Sequence, residues 1–256
     1  MSAYLSDMKK ALSPLRFLVP VLFIFFVLLR SMFQNHVFSV SIKMDWLTML
    51  TYPSAVSGFT PFAAIFPLIP YAASFIDDLQ SGYVKGIVTR TGIRKYSKMR
   101  ILSAAFSGGL TIFLPYLFIF AVIVINGVPT TPANINDIFL SLIWAPFVTV
   151  GGGLLVMAAK LLLAFLFGSV WALVGLFLST IVCNRYVTMI APFVLYQALW
   201  LFLPGNMNPV VMLRGDLAAT NHFIGSYWFL VLVQSAIIAV LSIGSLLGIR
   251  RKVLHG

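Results

Sequence analysis

Residues 154–182 read LLVMAAKLLLAFLFGSVWALVGLFLSTIV, a run of 29 residues with a single charge, Lys160. A helix of about 20 apolar residues crosses the hydrocarbon core of a bilayer, so this run is long enough to do so by itself. Working outward, five further runs qualify, at 15–33, 56–76, 101–125, 186–203 and 224–249. The second carries Pro61, Pro67 and Pro70, so kinks are expected there. The run 138–150 contains Trp144, Pro146 and Phe147 and ends at Gly151-Gly152-Gly153. At about 13 residues it is short for a span and reads as an interfacial or re-entrant helix. If it did cross, the two chain ends would lie on opposite sides. With no repeat or flexible linker, residues 1–256 read as one all-α transmembrane domain with six spans.

Composition agrees. Hydrophobic residues make up 61% of the chain and charged residues 9%, against about 25% charged in a typical soluble domain. The net charge of +11 invites a nucleic-acid reading until the charges are placed. Lys and Arg concentrate in cytoplasmic loops. With both termini cytoplasmic, 13 of the 17 basic residues fall inside: Lys9, Lys10 and Arg16, six between spans two and three, Arg185, and Arg250 to Lys252. Only Arg30, Lys43, Lys160 and Arg214 fall elsewhere. The positive charge is thus a topology signal, and no nucleic-acid partner is expected.

The first apolar run ends in Arg30-Ser31-Met32-Phe33, without the small-residue site of a cleaved signal peptide. Cys183 is the only cysteine, and His36, His222 and His255 are far apart. No HExxH, CxxC or paired-carboxylate pattern occurs, so no catalytic residue and no metal site is expected. Ser103, Ser107 and Ser141 read as helix-packing residues. Gly244 and Gly248 form a small-residue pair of a kind that also arises often by chance in apolar helices. Lys160 is either an intramembrane charge on a functional path or a side chain that snorkels to the outer interface.

The most informative polar stretch is 77–100, DDLQSGYVKGIVTRTGIRKYSKMR. Leu79, Tyr83 and Ile87 recur at i, i+4 and i+8 and predict one helix face. Asp77 and Asp78 sit in its first turn and Arg90 near its end, as the helix dipole favours. Gly92 predicts its stop, and a second helix over 93–100 leads into span three. Two readings stand for this stretch. It is a basic loop held at anionic lipid headgroups, or it is an amphipathic helix that docks in a groove of a cytoplasmic partner.

The run 66–104, FPLIPYAASFIDDLQSGYVKGIVTRTGIRKYSKMRILSA, resembles the corresponding region of the bacterial ATP-binding-cassette type-2 exporter permeases through Asp78, Gly82, Arg94, Tyr96 and Lys98. It departs from them in having Asp for the commoner Glu, and Thr91-Gly92 for a proline-containing turn. The run 161–197 resembles spans four and five of the same family through Gly168, Gly175, Ser179, Asn184, Arg185, Tyr186 and Pro192. The resemblance implies a multi-pass subunit of the bacterial cytoplasmic membrane. It would pair with a second permease subunit and bind cytoplasmic ATPase subunits. The chain has no GxxxxGK[ST] phosphate loop. It is therefore expected to be no enzyme and to hold no cofactor, with ATP and Mg on the partner.

The resemblance further implies a coupling segment comprising Asp77, Asp78, Gly82, Tyr83, Lys85, Ile87, Arg90, Arg94, Tyr96 and Lys98. The loop with Asn206, Asn208, Arg214 and Asp216 becomes an outer gate region with short re-entrant helices. Lys160, Arg214 and Asp216 are the candidates for a translocation path or gate. The charge-poor spans suit a hydrophobic or amphipathic cargo, in this family a peptide toxin or antimicrobial peptide. Two alternatives are an ion-coupled secondary transporter, which the lack of acids in the spans disfavours, and an intramembrane enzyme, for which the spans offer few polar residues.

Overall fold

The computed structural model describes residues 3–34, 44–134, 143–203, 207–215 and 227–255. Among these the chain is all-α, with one isolated bridge between Asp45 and Val128. In chain order the helices are α1 (Ala3–Ala11), α2 (Pro14–Gln34), α3 (Trp46–Val56), α4 (Ser74–Gln80), α5 (Tyr83–Thr91) and α6 (Ile93–Asn126). They continue with α7 (Ala145–Ile181), α8 (Arg185–Phe202), α9 (Pro209–Arg214) and α10 (Tyr227–His255). Two 3-10 turns, Thr60–Phe62 and Phe66–Leu68, lie between α3 and α4.

Five helices, α2, α6, α7, α8 and α10, are long and apolar enough to cross a membrane. The expected span over 56–76 is not a single helix. Gly58 adopts φ 70, and Pro61 and Pro67 open the two 3-10 turns. A proline removes one helical hydrogen bond and displaces another carbonyl. Such groups need partners where water is absent. Here α8 supplies them: the Tyr196 hydroxyl donates to the Thr60 carbonyl at 2.7 Å, and the Gln197 amide to that of Pro61 at 2.6 Å. The broken segment still runs the length of α6. Trp46 N–H donates to the Val128 carbonyl at 3.0 Å just past one end of α6, and Asp78 pairs with Arg100 near the other. Arg100 and Asn126 are about 40 Å apart along that helix.

The short apolar run before the fourth expected span is helical from Ala145 and meets the long helix at a kink. Helix α7 begins at Ala145 rather than 154, and Ile143 and Trp144 are buried just ahead of it. Only Gly152 interrupts it, with φ 60 and ψ −158, so the first two turns are set off by a kink rather than by a loop. Residues 138–142 of that run lie outside the described residues.

Helix α7 is the centre of the bundle. Of its most apolar window 67% is buried, against 17% for α8 and α10. Its closest neighbour is α6, and the reason is a pair of glycines. A Cβ on Gly108 would meet the Ala172 side chain and the Gly168 carbonyl, and one on Gly168 would meet the Gly108 backbone. Close backbone approach of this kind strengthens packing where no hydrophobic drive separates helix from lipid. Gly244 and Gly248 turn out to be a packing pair as well, set against Phe177 and Thr180 of α7. The outer faces of α8 and α10 leave Leu201, Phe202 and Val240 exposed, as a lipid-facing surface requires.

Candidate functional site

Helix α1 carries Asp7 and Lys10 one turn apart, α4 carries Ser74 and Asp78 one turn apart, and Tyr71 precedes α4. All converge on Arg100, one turn into α6 from Tyr96. Arg100 is 1% exposed. Its guanidinium pairs with Asp78 and, at 3.3 Å, with Asp7. It also donates to the Tyr71 hydroxyl and, at 3.2 Å, to Ser74 Oγ. The Tyr71 hydroxyl in turn donates to Asp7, and Lys10 donates to Asp78. The rings of Tyr71 and Tyr96 each lie 5.2 Å from the guanidinium carbon. Two acids and two bases thus form a charge-balanced cluster that ties α1 and α4 to α6. Burial and the Arg100 charge push the Lys10 ammonium below its ordinary pKa.

Asp77 faces another way. It lies 3.7 Å from Arg16 of α2 and 4.0 Å from Arg185 of α8. Asn184 caps α8 by accepting from the N–H groups of Tyr186 and Val187.

The coupling residues predicted from sequence fall into two groups. Gly82, Tyr83, Arg90, Arg94 and Lys98 are exposed, Tyr83 at 57%. Asp78 and Tyr96 are buried in the cluster and are not available to a partner. Lys85 lies on α5. The predicted Leu79, Tyr83, Ile87 stripe does not form, because Gly82 is left-handed (φ 72) and divides the segment into α4 and α5. The inner face of α5 is Val84, fully buried, with Ile87 and Val88 partly so. Gly92 ends α5 with φ 77, and α6 starts at the next residue, as expected. A cleft of about 210 Å³ lies over the cluster between α1, α5 and α6.

At the opposite end of the bundle, Lys160 is 6% exposed and does not snorkel. It donates to Thr51 Oγ1 at 2.8 Å, and its ammonium lies 5.1 Å from the centre of the Trp144 ring. Arg214 is half-buried at the end of α9, the one short helix described in the predicted gate loop. Gly215 follows with φ 67, and a Cβ there would strike Trp144 at 2.6 Å. Trp144 therefore joins Lys160 to the α9 turn. Asp216 and Asn206 lie outside the described residues. The remaining acid described here, Asp45, caps α3 and accepts from Thr130 Oγ1 at 3.0 Å.

Sequence reasoning missed Asp7, Lys10, Tyr71, Ser74 and Arg100 as a unit. One signal was present: Arg100 is followed directly by the apolar run ILSAAF, which places an arginine at the threshold of a span. Comparison with family models, curated proteins and solved structures finds no match to this chain.

Proposed function

We propose that this chain is the membrane subunit of a bacterial type-2 exporter driven by ATP hydrolysed on a separate subunit. In this reading six segments cross the cytoplasmic membrane: α2, the broken stretch from α3 to α4, α6, α7, α8 and α10. Both termini are cytoplasmic. The observation that carries it is the α4–α5 hairpin. It presents Tyr83 and Arg90, both exposed, at the rim of the cleft over the cluster, while ion pairs of its two aspartates reach four other helices. Asp78 holds Arg100 of α6 and Lys10 of α1, and Asp77 holds Arg16 of α2 and Arg185 of α8. A displacement of the α4–α5 hairpin by a partner would therefore move α1, α2, α6 and α8 together, as a biased two-state element requires. The cargo is a hydrophobic or amphipathic molecule, with a peptide as the first choice. Lys160 and Arg214, joined through Trp144, form the gate at the outer end of its path.

Two measurements test this. Cys183 is exposed and is the only cysteine in the chain. A membrane-impermeant maleimide should label it in inverted vesicles and not in right-side-out cells, and the reverse pattern would overturn the topology. Uptake of a labelled amphipathic peptide into inverted vesicles from cells that make the chain should require added ATP. Uptake driven by an ion gradient without ATP would contradict the reading.

A further inference from the structure

The wall between α2 and the broken segment after α3 is concave. Val19, Phe23 and Val27 of α2 face Phe59, Phe62 and Phe66 across a groove of about 570 Å³. That volume falls within the roughly 300–1,000 Å³ of small-molecule sites. The groove exists because Gly58 (φ 70) and the prolines keep this stretch from forming a straight helix that would pack flat on α2. Its walls are almost wholly apolar: Phe66 stacks on Phe23 at 5.5 Å and lies 5.7 Å from Phe59. From Val19 to Val27 the helix rises about 12 Å, close to the roughly 15 Å of hydrocarbon in one leaflet.

The mouth is charged. Arg16 precedes Val19 by three residues, so it shares the helix face of Val19, Phe23 and Val27. Its side chain is 49% exposed and lies 3.7 Å from Asp77. Asp77 is also shared, at 4.0 Å, with Arg185, which is 51% exposed. One carboxylate between two guanidiniums leaves a positive charge where the groove meets the basic end of the bundle. Guanidinium groups match phosphate oxygens in a fork geometry.

We propose that this groove holds one acyl chain of an anionic phospholipid from the leaflet on the basic side, with its phosphate beside Arg16. The inference goes beyond the exporter reading and needs no ATPase, so each can fail without the other. The full chain is placed in nanodiscs of phosphatidylcholine with a trace of diazirine-acyl phosphatidylglycerol, or of phosphatidylcholine bearing the same label. After photolysis the cross-links are mapped by peptide mass spectrometry.

Phosphatidylglycerol should label residues 19–27 and 57–69 several-fold more than Leu201, Phe202 and Val240 on the open faces of α8 and α10. The phosphatidylcholine label should spread evenly. Val27→Trp, which fills the groove, should lower groove labelling several-fold and leave α8 and α10 unchanged. Arg16→Gln should remove the preference for phosphatidylglycerol. If either variant fails to fold, the comparison of the two lipids on the unaltered chain decides. Even labelling by phosphatidylglycerol, equal groove labelling by both lipids, or a groove that neither lipid reaches because a second copy of the chain covers it would each overturn the proposal.

Discussion

Arg94 and Arg100 belong to one charged segment and lie less than two helical turns apart on α6, yet they do opposite things. Arg94 is exposed, as are Arg90 and Lys98. Arg100 is 1% exposed and bound by two carboxylates, two hydroxyls and two aromatic faces. The difference lies in the helix period: Tyr96 and Arg100 fall on the face turned toward α1 and α4, and Arg94 and Lys98 do not. The segment therefore has a charged outer surface available to a partner and a charged inner surface consumed in fixing the hairpin. Residue type alone separates neither role, and burial separates both.

The contrast can be broken most severely at Asp78. Removing one partner of a buried ion pair costs about 3–5 kcal/mol. Asp78→Ala should thus lower the thermal midpoint of the purified chain by about 10 °C or prevent its accumulation. In a double-mutant cycle, Arg100→Met with Asp78→Leu should cost less than the two single changes added together. Strict additivity would mean that the pair is not a unit.

Next in size is Tyr71→Phe, which deletes the hydroxyl between Asp7 and Arg100. The expected loss is about 1–3 kcal/mol, the cost of leaving buried polar groups unmet. Arg94→Gln should change stability by no more than about 0.5 kcal/mol, since it removes an exposed charge. A large loss of stability there would erase the distinction between the two surfaces.

The smallest effect concerns Lys10. Its folded pKa is lowered from 10.5 by burial and by Arg100. The unfolded chain then holds the extra proton as pH approaches 10.5, so stability from this group rises with pH across that window. Lys10→Met should flatten the rise in thermal midpoint between about pH 8 and about pH 10. An unchanged slope would remove Lys10 from the cluster.

Much of the fold was legible because hydropathy over 20 residues is a strong signal, and five of the expected runs are long helices. The sixth was legible as an apolar stretch but not as a shape. Its prolines predicted kinks, whereas the segment is two 3-10 turns whose freed carbonyls are met by Tyr196 and Gln197, about 136 residues away in sequence. The glycines Gly151 to Gly153 read as a terminator, although only Gly152 leaves the helical region. Gly92 was read correctly as a stop. Gly82 was not, and its left-handed turn broke the i, i+4, i+8 stripe drawn through it. The Arg100 cluster was hidden for a different reason. Its members stand at 7, 10, 71, 74, 78 and 100, and nothing local at any one of them announces the others. Counting Arg100 as a loop charge said nothing about its burial, which is nearly complete.

The most direct test of the exporter reading is to isolate the full chain in mild detergent from cells that make it and weigh what comes with it. An ATPase subunit carrying a phosphate loop should co-purify in fixed ratio. Tyr83→Ala with Arg90→Glu, at two exposed positions of α5, should reduce its amount several-fold while leaving the thermal midpoint of the chain unchanged. A chain that isolates alone, or an ATPase held equally well by the α5 variant, would contradict the account.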